Sequence, residues 1–292
     1  MQGRIVALSC GTYSIDVDGV IFHAPARGIF RSRNIKPTVG DYVEINDNSY
    51  IIEKVFDRVN YLKRPPIANI DQMLIIESLK EPEFSYLLAF KYLTYANMNN
   101  IKAKIILTKL DKQDDLTLIN EIKNTYSALG IEVYVVSNKT KVGLDEIRHL
   151  FKDHITCLIG QSGVGKSSLI NSIDPDYERR VNDYSKALGR GKHQTKEVIL
   201  LPYEGGYIAD TPGFSSLELD LFKEDLAQFY PGFAEKFTNC YYSNCLHITE
   251  NRCTVKEALQ KGEYPQIAYD CYLKLSEQSI YKNKRYERWK RF

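Results

Sequence analysis

The run Gly160-Gln161-Ser162-Gly163-Val164-Gly165-Lys166-Ser167 fits the pattern G-x-x-x-x-G-K-[ST] at every position. It follows the apolar stretch ITCLIG and precedes SSLINSI. A loop of this kind needs a strand before it and a helix after it, so it commits the middle of the chain to an α/β sheet. Its glycines let backbone N–H groups turn towards an anion, and the helix N-terminus adds partial positive charge. Gly160 through Ser168 are therefore expected to wrap a nucleotide's phosphates. Lys166 would reach the β- and γ-phosphates, and the Ser167 hydroxyl would ligate Mg²⁺.

The flanking sequence agrees with such a sheet. NIDQMLIIESL, KAKIILTKLD and IEVYVVS are continuous apolar runs, as strands buried on both faces require. Helical stretches separate them, among them YLLAFKYLTYANM and LTLINEIKNTYSALG, the latter ending on Gly130. Upstream, RIVALS, YSIDV, VIFHA, DYVEI and YIIEKVF read as five short strands punctuated by Gly11, Gly19 and Gly40. Five strands in so few residues suggest a small barrel of the OB-fold type, serving either oligonucleotide binding or docking alone. KRPPIAN, residues 63–69, has the stiffness of a linker. The fold class is thus multidomain: an N-terminal OB-fold barrel (1–64), an α/β P-loop domain (65–222) and a mostly helical C-terminal domain (223–292).

Thr108-Lys109-Leu110-Asp111 stands at the carboxyl end of an expected strand, where ligands of α/β sheets bind. The Asp111 carboxylate can accept two hydrogen bonds from guanine N1–H and N2–H₂, whereas adenine would leave it unpaired. That difference is worth several kcal/mol, on the order of the desolvation cost of an unpaired charge. Ser137 and Asn138 end the next strand and can cover the base from the other side. Asp210-Thr211-Pro212-Gly213 gives D-x-x-G, with Asp210 holding Mg²⁺ through water and the Gly213 N–H sensing the γ-phosphate. Thr195, in the basic loop Gly189–Thr195, is the expected second hydroxyl on Mg²⁺. The order is unusual, because the base-reading segments precede the phosphate loop. A parallel sheet needs the right strands as neighbours rather than one chain order, so a circular permutation keeps the site intact. After D-x-x-G stands Phe214, which cannot orient water. His193 is the candidate for that task; a solvated or RNA-facing histidine is the other reading.

Cys240-x4-Cys245-x-His247-x5-Cys253 offers three thiolates and one imidazole, the donor set of a closed, structural zinc site. The chain holds six cysteines, and Cys10, Cys157 and Cys271 are expected as small buried apolar residues. No apolar run approaches the roughly 18 to 20 residues that span a bilayer, and the first residues turn polar too soon for a secretion signal. A cytoplasmic chain without membrane contact is expected. Lys and Arg number 39 and Asp and Glu 37, so net charge by itself does not point to nucleic acid. The closing YKNKRYERWKRF does, with six basic residues and one acidic one interleaved with Tyr281, Tyr286, Trp289 and Phe292. Tyr269, Tyr272, Leu273 and Ile280 recur near helical spacing and suggest a helix packed on the zinc domain.

Barrel, permuted motifs and Cys₃His spacing, with GQSGVGKSSLIN, GRGKHQT and DTPGF, closely resemble the ribosome small-subunit-dependent GTPase A family (RsgA, also called YjeQ or YloQ). The resemblance covers nearly the whole chain. It implies hydrolysis of GTP to GDP with Mg²⁺, a structural Zn²⁺, and a catalytic His193 acting with Lys166 and Thr195. It implies as partners the 30S subunit and its 16S rRNA, with late subunit maturation as the task and hydrolysis timing release. A monomer is expected. Thr108 departs from the Asn of many GTPases and lacks the amide that bridges base and phosphate loop. The rivals are a signalling or RNA-modification GTPase, and an RNA-binding chaperone with a weak nucleotide pocket.

Overall fold

In the computed structural model, which describes residues 1–9, 11–28, 30, 36–63, 65–113, 115–179, 198–210 and 221–281, the chain begins with five antiparallel strands. These are β1 (Gln2–Ser9), β2 (Thr12–Val17), β3 (Val20–Pro25), β4 (Tyr42–Ile45) and β5 (Ile52–Val55), in the order β3-β2-β1-β4-β5. A bridge between Ala26 and Ile52 brings the two edges together. Period-2 alternation sends Val43 and Ile45 inward, and they meet Ile5, Ile15, Ala24 and Ile52, all at most 1% exposed. Residues 63–69 are not a bare linker. β6 (Tyr61–Lys63) and β7 (Pro66–Ala68) form a hairpin, and a bridge from Ile67 to Val39 joins it to the barrel. Pro66 is accommodated because it opens its strand at the turn.

The described chain forms two compact units, Met1–Leu74 with Thr140–Leu217 and Ile75–Lys139 with Glu218–Phe292. β8 (Gln72–Ser78), fully buried along its length, contributes its first three residues to one unit and the rest to the other. In the first unit the neighbours run β8, β11 (Ile155–Ile159), β13 (Gly206–Asp210), β12 (Ile199–Tyr203). β11 and β13 are parallel, with Cys157 opposite Ala209; β12 returns antiparallel at the edge. In the second unit β9 (Lys102–Thr108) lies between β8 and β10 (Val133–Val135), with Leu107 opposite Val135 in a parallel pair.

Side-chain hydrogen bonds cap two of the described helices. Ser85 Oγ accepts the Leu88 N–H ahead of α1 (Tyr86–Met98), and Asp115 accepts the Thr117 N–H at 2.8 Å ahead of α2 (Leu116–Ser127). Gly130 follows α2 at φ 71°, the left-handed geometry expected of it. In the first unit α3 (Leu144–Arg148) and α4 (Lys166–Ile173) follow. In the second come α5 (Lys223–Phe229), α6 (Ala234–Phe237), α7 (Thr254–Gln260) and α8 (Gln266–Gln278). Tyr269, Tyr272 and Leu273 do lie on α8, but Ile280 lies past its end, in a bridge to Phe222, and is exposed.

One core joins α1 and α2 to the carboxyl-terminal helices. Phe90 packs on Tyr126 (5.1 Å between ring centres) and Tyr230 (5.3 Å); Tyr230 meets Phe233 and Tyr272 at 5.1 and 5.3 Å. Contacts in this range add to burial by about 0.5–1.5 kcal/mol per pair.

The barrel side carries one fully buried carboxylate outside any nucleotide motif. Asp41 accepts from Arg58 Nε and Nη2 at 2.7 and 2.8 Å and from the Thr38 N–H at 2.8 Å. This pairing holds the Arg58 guanidinium above its usual pKa. Asp41→Ala strands Arg58 and the Thr38 amide, and urea unfolding should show a loss of about 3–5 kcal/mol, the cost of breaking a buried pair. Wild-type stability in that variant would show that the pair holds nothing together.

Candidate functional site

The phosphate loop leaves the carboxyl end of β11. Gly160 is buried, at φ 154°, and Gly163 and Gly165 take φ 82° and 96°, which side chains rarely tolerate. Val164 between them is fully buried and plugs the loop into the core, while Ser162 and Gly163 stay exposed. Gly165 caps α4, and its carbonyl receives the Leu169 N–H at 2.8 Å. Lys166 therefore opens the helix, and its Nζ turns back over the loop to the carbonyls of Gly160 (2.5 Å) and Gln161 (2.7 Å). Ser167 and Ser168 are exposed in the same first turn. A loop of convergent N–H groups with an ammonium folded across it can receive a polyphosphate.

β13 runs parallel beside β11, so the backbone of Asp210 reaches the same sheet end as Gly160. His193 and Thr195, with the loop that bears them, lie outside the described residues, as do Gly213, Phe214 and Cys10.

The base-reading residues assemble separately, at the carboxyl ends of β9 and β10. Lys109 takes a left-handed turn (φ 60°, ψ 38°), and Leu110–Lys112 form one turn of 3₁₀ helix. The Leu110 N–H donates to Val136 O at 3.1 Å, which ties the two strand ends together. Ser137 Oγ donates to Asp111 Oδ1 at 2.6 Å, and that hydrogen bond holds the Asp111 carboxyl below the usual carboxylate range. Asp111 thus presents a fixed, ionised acceptor edge at neutral pH. Thr108 is fully buried, and its hydroxyl donates to Glu77 O of β8 at 3.3 Å. Asn138 is half-buried, with its side-chain oxygen shielded from water and without a hydrogen-bond partner among the described residues.

The donor atoms of Cys240, Cys245, His247 and Cys253 all lie within 4.8 Å of one another. His247 Nδ1 approaches Cys240 Sγ at 3.6 Å and Cys253 Sγ at 3.2 Å. A tetrahedral zinc with sulfur ligands separates its donors by about 3.8 Å, so these residues fit the ion. Nε2 of the same ring lies 3.0 Å from Ala227 O, which orients the imidazole in the manner of an outer-shell partner. Burial pushes the Cys245 thiol up to about 12 and raises Cys253 as well. Cys240 goes the other way: burial raises its thiol, but hydrogen bonds, that of the Thr254 hydroxyl first among them, bring it below its usual value. Tyr269 and Tyr272, expected on a helix packed here, also bind by their hydroxyls, which sequence reasoning did not anticipate: Tyr269 Oη donates to His247 O at 2.7 Å and Tyr272 Oη to Leu246 O. Aromatic spacing on α8 was the available signal. None of the described cysteines forms a disulfide, and Cys157 and Cys271 are buried as expected. Of the basic tail, only Tyr281 is described; Lys223 Nζ lies 4.9 Å from the centre of its ring.

Comparison with known proteins follows the same division. Residues 55–220 match the RsgA GTPase family and residues 2–50 the RsgA N-terminal domain. A protein of Halalkalibacterium halodurans named small ribosomal subunit biogenesis GTPase RsgA is 40% identical over 97% of this chain and 99% of its own. The crystal structure of YjeQ from Thermotoga maritima superposes with a TM-score of 0.82 at 33% identity, covering 95% of this chain and 97% of that one. YloQ, described as a circularly permuted GTPase, gives 0.78 at 35% identity over 95% and 94% of the two chains.

Zinc analysis of the purified chain should find one ion per molecule, lost in Cys253→Ser or after prolonged chelation. Thermal unfolding should then begin about 10 °C lower or more, since each kcal/mol shifts a chain of this size by roughly 2–4 °C. A zinc-free chain of undiminished stability would contradict the assignment.

Proposed function

Because this chain belongs to the RsgA GTPase family, we propose that it acts on the small ribosomal subunit, binding the 30S particle and its 16S rRNA late in maturation and using GTP hydrolysis to time release. The observation that carries this reading is coverage: relatives named for small-subunit biogenesis align across barrel, phosphate loop and Cys₃His region alike. GTP hydrolysis is the reaction of the family.

The residues divide the work by chemistry. Gly160 through Ser168 would bind the triphosphate with backbone N–H groups, and Lys166 would exchange its two loop carbonyls for the β- and γ-phosphate oxygens. The Ser167 and Thr195 hydroxyls would hold Mg²⁺ directly and Asp210 through water; the ion would supply charge neutralisation between the β- and γ-phosphates. Asp111, oriented by Ser137, would accept guanine N1–H and N2–H₂, with Thr108, Lys109, Leu110 and Asn138 completing the base site. Gly213 would sense the γ-phosphate. His193 would position the attacking water, a task closed to Phe214. Cys240, Cys245, His247 and Cys253 would hold zinc as a structural ion. Three domains with boundaries near 64 and 222, a monomeric state and a cytoplasmic location complete the reading. Among the described residues no helix is long and apolar enough to cross a membrane.

Turnover of GTP with and without purified 30S particles is the decisive measurement. Stimulation by 30S is expected; a rate equal with and without particles would defeat the ribosomal reading. His193→Ala should remove the stimulated turnover and leave nucleotide binding intact. Asp111→Asn should transfer preference from guanosine to xanthosine triphosphate, with discrimination against GTP of about 100-fold or more, the scale of an unpaired buried polar group. Retained GTP preference in that variant would remove Asp111 from base reading.

A further inference from the structure

On an antiparallel barrel, residues that alternate away from the core ordinarily face water. β2 is different. Ile15 lies in the core, yet its neighbours Ser14 and Asp16 are also buried, at 2% and 8% exposure. What meets Asp16 is the β12–β13 hairpin: Tyr207 Oη donates to Asp16 Oδ2 at 3.0 Å. The other oxygen, Oδ1, accepts the Gly19 N–H at 2.8 Å and so fixes the β2–β3 turn. Arg4 stands opposite Asp16 in the β1–β2 pair, with Nη1 on Gly40 O at 2.9 Å and its guanidinium 5.6 Å from the centre of the Tyr42 ring. Removal from water, reinforced by the Asp16 carboxylate, pushes the Tyr207 phenol well up, so it remains a donor at neutral pH.

The hairpin is tied equally to the strand that carries the phosphate loop. The Asp153 N–H donates to Glu204 O and the Tyr207 N–H to His154 O, both at 2.9 Å. Gly206 is pressed so close to this segment that a Cβ there would lie 2.2 Å from His154 O. From that anchor β13 runs parallel to β11, with Ile155 opposite Tyr207. Asp210 of the D-x-x-G motif is the last residue of the strand that Tyr207 enters, and Gly160 directly follows β11. Tyr207 and Asp210 share the short strand β13, so a displacement at Tyr207 has a direct path along the backbone to the D-x-x-G motif.

We propose that Tyr207 is a positioning residue that couples the barrel to the GTPase strands, so that whatever grips the barrel alters the placement of Asp210 and thereby the rate of hydrolysis. The proposal rests on the reading that the phosphate loop binds GTP and that a ribosomal particle engages the barrel.

Tyr207→Phe tests it, because the ring remains and only the O–H is lost. Amide hydrogen exchange over residues 12–20 is measured in the full chain with and without a non-hydrolysable GTP analogue and Mg²⁺. In the wild type the analogue should slow exchange at the Gly19 turn; in Tyr207→Phe that response should vanish at unchanged analogue affinity. Stimulation of turnover by 30S should fall about 5- to 10-fold, the range of a modest coupling energy, while basal turnover stays the same. Asp16→Asn, which leaves one acceptor atom where the carboxylate offers two, to the phenol and to the Gly19 N–H, should weaken both responses in the same direction. A Tyr207→Phe chain with the wild-type exchange response and full stimulation overturns the inference. Wild-type protein that binds the analogue yet shows no response over residues 12–20 overturns it too. Failure of the wild type to bind the analogue defeats the functional reading itself, and the coupling falls with it.

Discussion

The burial of the parallel strands on both faces is the constraint from which the rest follows. β8 and β11 have no water-facing side, so most of their side chains are apolar packing material and a polar one such as Gln72 is paired within the sheet, its Nε2 donating to Thr156 Oγ1 at 2.9 Å. Polar chemistry is displaced to the strand ends, where backbone groups leave the ladder and must find other partners. Gly160, Asp210, Thr108 and Ser137 all stand at or just beyond carboxyl ends, two at the end of a parallel pair in each unit. Such a sheet is indifferent to the order in which the chain visits its strands. That is why base-reading segments can precede the phosphate loop without a change in what each strand end offers, and why a circularly permuted GTPase such as YloQ is a structural relative.

The carboxyl-terminal region solves a different problem. Only α8 among its described helices exceeds 7 residues, and a region of this size has little apolar interior of its own. Two devices compensate. The Cys₃His residues gather a loop that has no regular structure, and tyrosines pin that loop and its neighbours by their hydroxyls. Tyr230 donates to Ala268 O and Tyr264 to Pro231 O, each at 2.7 Å, and Tyr269 and Tyr272 reach the carbonyls on either side of the third cluster residue. Each ring buries a large apolar surface while its hydroxyl satisfies a backbone acceptor that would otherwise be stranded. Through Phe90 and Tyr126 the same rings reach α1 and α2, so the Cys₃His region is an extension of the α/β layer's own core.

Features encoded by neighbouring residues could be read from the sequence, and features encoded across distance could not. The phosphate loop and the cysteine spacing are local patterns, whereas the T-K-L-D turn is ambiguous alone and gains its meaning from the phosphate loop in the same sheet. The hairpin at 61–68 was hidden by Arg64-Pro65-Pro66, because proline signals a break whether the chain then wanders or pairs as an edge. β12 was overlooked for a related reason: Pro202 interrupts an apolar run that only its antiparallel partner β13 identifies as a strand. Ile280 fits a helical period, yet α8 stops at Gln278 and hands the residue to a bridge with Phe222. The Ala227 carbonyl behind His247 and the Asp16 partner of Tyr207 have no sequence signature at all. Each depends on a contact between segments far apart in the chain.

If Asp111 reads the base as proposed, Thr108 in the place where many GTPases have Asn separates affinity from specificity. Thr108 is buried, and its hydroxyl is spent on the carbonyl of Glu77, so it braces β9 against β8 and has no amide to extend towards a ligand. On the proposed reading, a missing amide weakens the hold on any purine nucleotide by about one net hydrogen bond, roughly 0.5–1.5 kcal/mol, whatever base it carries. Discrimination is a difference between bases, and it arises where one base leaves a charge unpaired. That charge is on Asp111, and its orientation comes from Ser137 rather than from residue 108. A chain built this way should therefore, on the proposed reading, select guanine as strictly as a GTPase with Asn at this position while binding it more weakly.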